Sequence, residues 1–391
     1  MDIVCISEMV QETRLLMEKK KLILGVTIGG SSRLLDGQAK YFRELGYEVF
    51  LISQDHYKER IFCEKEGITH LPVDIVADIS PWKDLKSLLQ IIRHFKKIKP
   101  DIVNVGSPKM GLLGSMAAWI IGTKKRIYTC RGLRFETEKG FKRMLLMALE
   151  RLTVKMVHHV IYVSPSLREA AKNYKVLDPN KSVLIGNGSS NGVDIKAFDR
   201  TKIDTKARVV LIEQFHLNNT LVIGFVGRIT PEKGVYELVE AFESLYLKYP
   251  LLRLIMMGHI KCNPVFEQRF RAHEGIIHIP FQDDVPLYMS LFDIFVLPSW
   301  REGFPNVPIQ AAAMGLPVVV SDATGCIDAV QDQVNGIVFQ KRNTESLKQA
   351  LLKYIESESL RKAHGKAGVN FAKQFSQQEI WQGINKIYCS N

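Results

Sequence analysis

Short apolar runs alternate with helix-length segments along this chain, halt at a cluster of turn-forming residues, and then begin again. Lys21-Leu22-Ile23-Leu24-Gly25-Val26-Thr27-Ile28 reads as a buried strand; Gly29-Gly30, a helical segment from Leu35 to Leu45 and a second apolar run from Tyr47 to Ser53 follow it. That is a βαβ unit, which requires a parallel sheet with helices on its faces. The alternation continues through a helix at Trp82 to Ile98, a strand at Asp101 to Val105, a helix at Gly111 to Ile121, a strand at Arg126 to Cys130, a long helix at Lys139 to Val157 and a strand at Val160 to Val163.

After Ser182-Val183-Leu184-Ile185, the run Gly186-Asn187-Gly188-Ser189-Ser190-Asn191-Gly192-Val193-Asp194 is the densest turn-forming cluster in the chain and reads as a linker. The pattern then restarts. Leu221 to Val226 is a strand, Gly227 to Gly234 a loop and Val235 to Lys248 a helix. Strands follow at Leu252 to Met257, Ile276 to Ile279, Ile294 to Leu297, Pro317 to Val320 and Gly336 to Phe339. The expected fold class is α/β, with two Rossmann-like, doubly wound domains facing a central cleft at the carboxyl ends of their sheets. Residues 1–206 are expected to form the first domain and 207–374 the second, with the terminal helical segment 375–391 joining the first.

Composition agrees with two cores, since 391 residues at 46% hydrophobic content exceed one typical domain. A net charge of +12 and a pI near 9.3 call for an anionic partner: nucleic acid, anionic lipid or a phosphorylated substrate. The six cysteines contain no C-x-x-C and no paired zinc spacing, as expected for a reducing cytosol. Asp2, Glu8, Glu12 and Arg14 interrupt the first twenty residues, so export is not expected. The best apolar stretch, Met110 to Gly122, falls short of the roughly 18 residues that span a bilayer, so membrane contact is expected to be peripheral.

The stretch Ser299 to Gly315 carries most of the chemistry. A strand ends at Leu297-Pro298, a glycine loop holding Glu302 follows, and a small-residue helix begins. Unpaired amides of Gly303 to Val307 at the helix start suit an anion, while Glu302 suits hydroxyls. Arg228 and Lys233 flank an earlier strand-to-helix turn, and two cations with two helix starts can neutralise a diphosphate without metal. Asp283-Asp284 reads as a helix cap rather than a metal pair, and His158-His159 lacks a matching ligand cluster.

Taken together these motifs resemble a retaining, nucleotide-sugar-dependent glycosyltransferase of family 4 with GT-B architecture, most like bacterial members that build capsule, O-antigen or other surface glycans. The resemblance rests on Gly29-Gly30, Ser107-Pro108-Lys109-Met110-Gly111, Asn191-Gly192-Val193-Asp194, Gly227-Arg228 with Lys233-Gly234, and Glu302-Gly303-Phe304-Pro305-Asn306. It implies an acceptor-binding first domain, a nucleotide-sugar-binding second domain, and catalytic roles for Arg228, Lys233 and Glu302. The cations would stabilise the leaving diphosphate and Glu302 would orient donor hydroxyls. Gly29, Gly30, Arg131, Gly303, Phe304, Asn306, Val307 and Gln310 would complete the donor site. The implied partners are a nucleotide-sugar, expected to be a UDP-sugar, and a glycan or polyprenyl-diphosphate-linked acceptor, with no metal or other cofactor.

Two positions depart from the family pattern. Gln310 stands where relatives carry a second glutamate for ribose hydroxyls, and it keeps an acceptor oxygen while losing the charge. Arg131 stands where many relatives carry histidine; it cannot act as a base at neutral pH and suits a phosphate. Pairing of Arg131 and Arg134 with Glu136 or Glu138 is the structural alternative. Base recognition is expected near Pro280-Phe281-Gln282.

The helix at 139–157 mixes apolar residues, which must largely pack in the core, with Lys142, Arg143, Arg151 and Lys155. With Arg93, Lys96, Lys97 and Lys99, this basic face suits an anionic membrane leaflet, expected to be the inner face of the cytoplasmic membrane, with a merely solvated face as the alternative. Two other classes compete. An NAD-dependent oxidoreductase shares Rossmann halves, but Gly29-Gly30-Ser31-Ser32 lacks G-x-G-x-x-G. A nucleic-acid-binding protein accounts for the charge, but the chain lacks a helix-turn-helix, zinc or RNP-type signature.

Overall fold

The computed structural model describes residues 19–76, 78–106 and 108–390. The reading of the amino terminus as lacking an export signal, and Ser107 of the 107–111 motif, lie outside the described residues. By packing, the chain divides into two compact units: residues 1–130, 148–161 and 179–181, and residues 131–147, 162–178 and 182–391.

The first unit is built on parallel strands β1 (Lys21–Gly25), β2 (Glu48–Gln54), β3 (Thr69–Val73), β4 (Ile102–Gly106), β5 (Lys125–Cys130) and β6 (His159–Tyr162), adjoining in the order β3-β2-β1-β4-β5-β6. Helices α1 (Gln38–Glu44), α2 (Tyr57–Glu66), α3 (Pro81–Ile98) and α4 (Pro108–Ile120) supply the crossovers, and α5 (Gly140–Met156) leads into β6. Register places Leu22 beside Val49 and Leu24 beside Asn104. The continuous apolar runs are explained by burial on both faces, with Ile23, Ile52, Phe95, Val105 and Met110 in one core.

The helix expected from Leu35 to Leu45 is shorter than the apolar pattern suggests. Gly37 sits at φ 74° and separates a 3-10 turn, Ser31–Leu35, from α1. The segments α2 and β3 had no clear sequence signal: α2 is largely charged, and β3 contains Pro72 and is half exposed. The expectation that the apolar residues of α5 largely pack in the core is only partly met, because Phe141 and Met144 are exposed.

At the other end of α5, Glu150 is half-buried beside Tyr128 and Cys130, whose thiol lies 3.8 Å from Glu150 Oε1. Burial pushes this carboxyl up to about 7, against hydrogen bonds from Tyr128 and Cys130 that favour the anion. Between its ordinary value and about 7, the native state holds a proton that the unfolded chain has released, so stability falls as pH rises through that window. The loss is on the order of 3 kcal/mol. Glu150→Gln is expected to remove this component, measured as the difference in unfolding free energy between acidic and mildly alkaline buffer. Equal pH dependence in the two proteins would refute the assignment.

The second unit contains α6 (Pro165–Asn173), β7 (Ser182–Leu184) and α7 (Thr205–Gln214), then a second parallel sheet of β8 (Leu221–Val226), β9 (Leu252–Met257), β10 (Ile276–Ile279), β11 (Ile294–Leu297), β12 (Val318–Ser321) and β13 (Gly336–Phe339). Its order is β10-β9-β8-β11-β12-β13. Helices α8 (Val235–Tyr246), α9 (Pro264–Ala272), α10 (Val285–Met289), α11 (Asn306–Ala313) and α12 (Thr344–Glu356) connect or follow the strands, and α13 (Glu358–Ala372) and α14 (Gln377–Cys389) close the chain. Phe225, Phe242, Phe270, Phe292 and Phe295 are fully buried here.

The glycine-rich run 186–194 and the terminal helix α14 belong to this same unit. Val193 bridges to Ser376, and the Trp381 indole donates to Asn191 at 2.7 Å. The residue-206 boundary expected from sequence therefore falls inside this unit.

Candidate active site

Strand order in the second sheet fixes where a ligand can sit. Chain order runs outward in one direction from β8 through β9 to β10, and in the other from β11 through β12 to β13. Between β8 and β11 the connections diverge, leaving the kind of crevice where open α/β sheets bind ligands. The loops that leave these two strands are 227–234 and 298–305, which carry Arg228, Lys233 and Glu302.

The two loops are joined by backbone and side chain. Trp300 N donates to Glu232 O at 2.9 Å, and the Lys233 ammonium pairs with Glu302 Oε1. Both side chains are largely shielded, at 18% and 15% exposed, yet still reach solvent. Ser299 Oγ donates to the same Glu302 oxygen at 2.7 Å, so that oxygen is held from two sides. Gly234 makes the approach feasible: its φ is 69°, and a Cβ there would lie 2.0 Å from Pro298 O. Arg228 is exposed at the end of β8, with no carboxylate in ion-pair range among the described residues.

The Trp300 side chain stiffens the Glu302 loop. Its indole donates to Glu237 at 2.9 Å, and the Arg342 guanidinium lies 4.2 Å from its ring centre. Glu302 N donates to Thr324 O at 3.0 Å. Thr324 Oγ1 in turn donates to Glu136 at 2.9 Å, and burial pushes the Glu136 carboxyl up. Glu138 pairs with Lys142 at 2.7 Å.

The start of α11 keeps its donors available. Pro305 stands at the N-cap with no side-chain cap, and among the described residues the amides of Gly303, Phe304 and Asn306 donate to nothing outside the helix. Gly303 is held in a narrow slot: a Cβ there would lie 2.2 Å from Arg131 O, and Ser164 Oγ donates to Gly303 O at 2.8 Å. The Phe304 ring packs on Phe375 at 5.1 Å, and Val307 packs against the core, so their backbones face a ligand more readily than their side chains. The Asn306 amide is engaged by Ser189 at 2.9 Å and by Gly192 O at 3.3 Å. Gln310, one turn further along α11, is half-buried and its side chain makes no hydrogen bond among the described residues.

Gly29 and Gly30 lie in the first unit, and their amides already have internal acceptors: Gln54 at 3.0 Å and Glu59 at 2.5 Å. Asp284 caps α10 by accepting from Leu287 N at 3.2 Å, and His158 accepts from Arg126 N at 3.2 Å.

Sequence reasoning missed His259. It follows the end of β9, and its ring stacks on Phe281 at 5.8 Å beside the base region expected near 280–282. The close approach of Gly258 to Gly227 O, 2.0 Å from a Cβ built there, brings this strand end against the Arg228 loop. The missing signal is strand adjacency. Thr230 Oγ1, Arg301 Nε and Glu237 Oε2 are buried around these loops without a protein partner among the described residues.

The arrangement is one of fixed cations and open amides at a sheet crevice, with an acid held beside them. Residues 28–190 match the model of Glycosyltransferase Family 4, and residues 220–357 match that of Glycosyl transferases group 1. A capsular polysaccharide biosynthesis glycosyltransferase of Staphylococcus aureus, CapM, is 34% identical over 381 residues, covering 95% of this chain and 97% of the relative. An N,N'-diacetylbacillosaminyl-diphospho-undecaprenol alpha-1,3-N-acetylgalactosaminyltransferase of Campylobacter jejuni is 26% identical over 349 residues, 87% and 90% of the two chains. In fold, the chain resembles HepE of Anabaena, solved with UDP-glucose, at a TM-score of 0.78 and 20% identity over 95% of this chain and 100% of that one. The chain belongs to the family 4 glycosyltransferases of GT-B fold and is a glycosyl-transferring enzyme.

Proposed function

We propose that this enzyme moves a sugar, with retention of anomeric configuration, from a UDP-sugar to a glycan or polyprenyl-diphosphate-linked acceptor in surface-polysaccharide synthesis. The observation that carries the reading is the pairing of Lys233 with Glu302 at the crevice between β8 and β11, beside exposed Arg228 and the open start of α11. Positive charge and amide dipoles there suit a diphosphate whose negative charge grows as the glycosidic bond breaks. The acceptor class is supported by the Campylobacter jejuni relative and by an Escherichia coli relative named as a UDP-Gal:alpha-D-GlcNAc-diphosphoundecaprenol alpha-1,3-galactosyltransferase. A peripheral position on the cytoplasmic membrane face follows from a lipid-linked acceptor. No described helix is long and apolar enough to cross a membrane.

In this reading Arg228 and Lys233 hold the diphosphate, Glu302 orients donor hydroxyls, and the amides from Gly303 onward complete the cradle. No protein nucleophile is required. The leaving phosphate takes the acceptor proton on the same face from which it departs. Arg131 contacts phosphate, and Gln310 meets the ribose through neutral hydrogen bonds. Because cations and amides meet the charge, metal is not required, and turnover should survive chelation by EDTA.

Thermal stabilisation across UDP-, GDP- and ADP-sugars tests the donor. UDP-sugars are expected to raise Tm, and no shift with any nucleotide would overturn the proposal. The His259–Phe281 pair is the platform for the base in this reading. Phe281→Ala is expected to weaken UDP binding by roughly tenfold, within the range of about 1–3 kcal/mol for an aromatic–base stack; unchanged affinity by calorimetry would move the base elsewhere.

A further inference from the structure

Helix α6 opens at Ser164, a fully buried residue that shares the second unit with the loops 298–305 and 322–329. Its hydroxyl oxygen accepts from Leu167 N at 3.2 Å, the ordinary N-cap bond, while its proton is donated to Gly303 O at 2.8 Å. A carboxylate would serve the cap equally well but has no proton to give; a hydroxyl accepts and donates through one atom.

The surroundings leave this bond little freedom to rearrange. Gly188 stands at φ 116°, and a Cβ there would lie 2.6 Å from Val163 O and 3.2 Å from Ser164 Cα. Two residues beyond Ser164, Ser166 Oγ accepts from Gly325 N at 2.7 Å and donates to Asp328, whose carboxylate also receives Ser166 N at 3.2 Å. Gly325 packs on the same loop, since a Cβ at that position would lie 2.4 Å from Gly303 O. Ser164-Pro165-Ser166 therefore holds Gly303 directly and Gly325 against it.

The consequence is stereochemical. Gly303 O and Phe304 N belong to one peptide unit, which is trans, and a trans peptide points its N–H opposite to its C=O. Tying Gly303 O to Ser164 turns the Phe304 N–H to the other side, where it has no protein acceptor among the described residues. Rotating that peptide would give up a buried hydrogen bond, which is costly to leave unmade.

We infer that Ser164 is a positioning residue for sugar transfer: its hydroxyl holds the peptide between Gly303 and Phe304 so that the Phe304 N–H stays aimed into the donor cradle. This role rests on the donor reading above and adds to it a residue far in sequence from the strand-loop-helix segment that forms the cradle. A donor fixed before the reaction need not reorient as charge develops, so its contribution falls on the chemical step.

Glycine at an N-cap keeps most of the capping effect, whereas alanine loses it. Ser164→Gly therefore removes the donated hydrogen bond and spares the cap, while Ser164→Ala removes both. The reaction followed is UDP release from the UDP-sugar that most raises Tm, with water as the acceptor. Ser164→Gly is expected to lower kcat and kcat/KM together by roughly 10–100-fold, with the Tm shift produced by UDP retained. Ser164→Ala should match that loss in kcat and unfold at a lower temperature.

Ser357→Ala is the control for capping alone. Ser357 caps α13 by accepting from Leu360 N at 3.2 Å, so its replacement should lower Tm and leave kcat at the wild-type value. Wild-type kcat in Ser164→Gly would overturn the inference, as would a kcat loss confined to Ser164→Ala, which would assign the effect to the cap. Absence of any nucleotide shift in wild type strikes the donor reading instead, whereas a retained shift with unchanged kcat in Ser164→Gly strikes the positioning role alone.

Discussion

Lys233→Ala and Glu302→Ala are each expected to lower kcat by about 10²–10³-fold, with the double variant little slower than either single one. Lys233 stands at the end of the 227–234 loop, and its ammonium pairs with a carboxylate that Ser299 also holds at 2.7 Å. In the proposed reaction the ammonium offsets charge as it develops on the leaving diphosphate, a contribution larger in the transition state than in the bound donor. Glu302 holds this ammonium, and in the same proposal it orients the donor hydroxyls. Removing either partner leaves the other misdirected, so the two losses should overlap rather than multiply. Steady-state kinetics with matched thermal unfolding curves would check this. Multiplicative losses would show that the pair does not act as a unit, and near-wild-type turnover in Glu302→Ala would remove it from the reaction.

The second large effect is structural. Gly234→Ala is expected to destabilise the protein by about 3 kcal/mol, from a left-handed backbone and a backbone collision acting together. A methyl group at this position would lie 2.0 Å from Pro298 O, and a carbonyl in a loop tied to Glu232 through Trp300 cannot swing aside like a flexible side chain. Gly186 provides the comparison: its φ is 53° and nothing lies within 4 Å of the added carbon. Gly186→Ala should therefore cost only about 1 kcal/mol, the backbone component alone. Denaturant unfolding compares them directly. Because Gly234 adjoins Lys233, its replacement should also weaken donor binding, and equal costs at the two glycines would refute the role assigned to the close approach.

Much of the fold could be read from local pattern. β8 and β11 are apolar along their length because a parallel strand is covered on both faces, so each announces itself without help from its neighbours. By contrast α2 and β3 are half-exposed elements with charged or proline-containing sequences, and their apolar positions are too few to set a period. The linker was legible as turn-forming chemistry, yet its Asn191 and Val193 serve as attachment points for α14, residues far away in the chain.

The candidate site divides in the same way. Glu302, Gly303 and the helix start share one strand-loop-helix segment, so a short window of sequence suffices to place an acid beside open amides. Asn306 shows the limit of that window, because its side chain turns to Ser189 and Gly192 instead of remaining free for a ligand. His259 carried no motif of its own and acquires meaning only from Phe281 beside it.

By itself the sequence determined two rounds of α/β alternation, the loops that end the strands, and the charged and glycine residues in those loops. All of these follow from burial and backbone freedom within a few residues. Only the tertiary structure decided that the loop after β8 meets the loop after β11, and that Lys233 therefore finds Glu302. Parallel pairing sets Ile294 beside Ile223 across a long stretch of chain, and the choice of neighbour is made by packing of the whole sheet rather than by anything local to either strand.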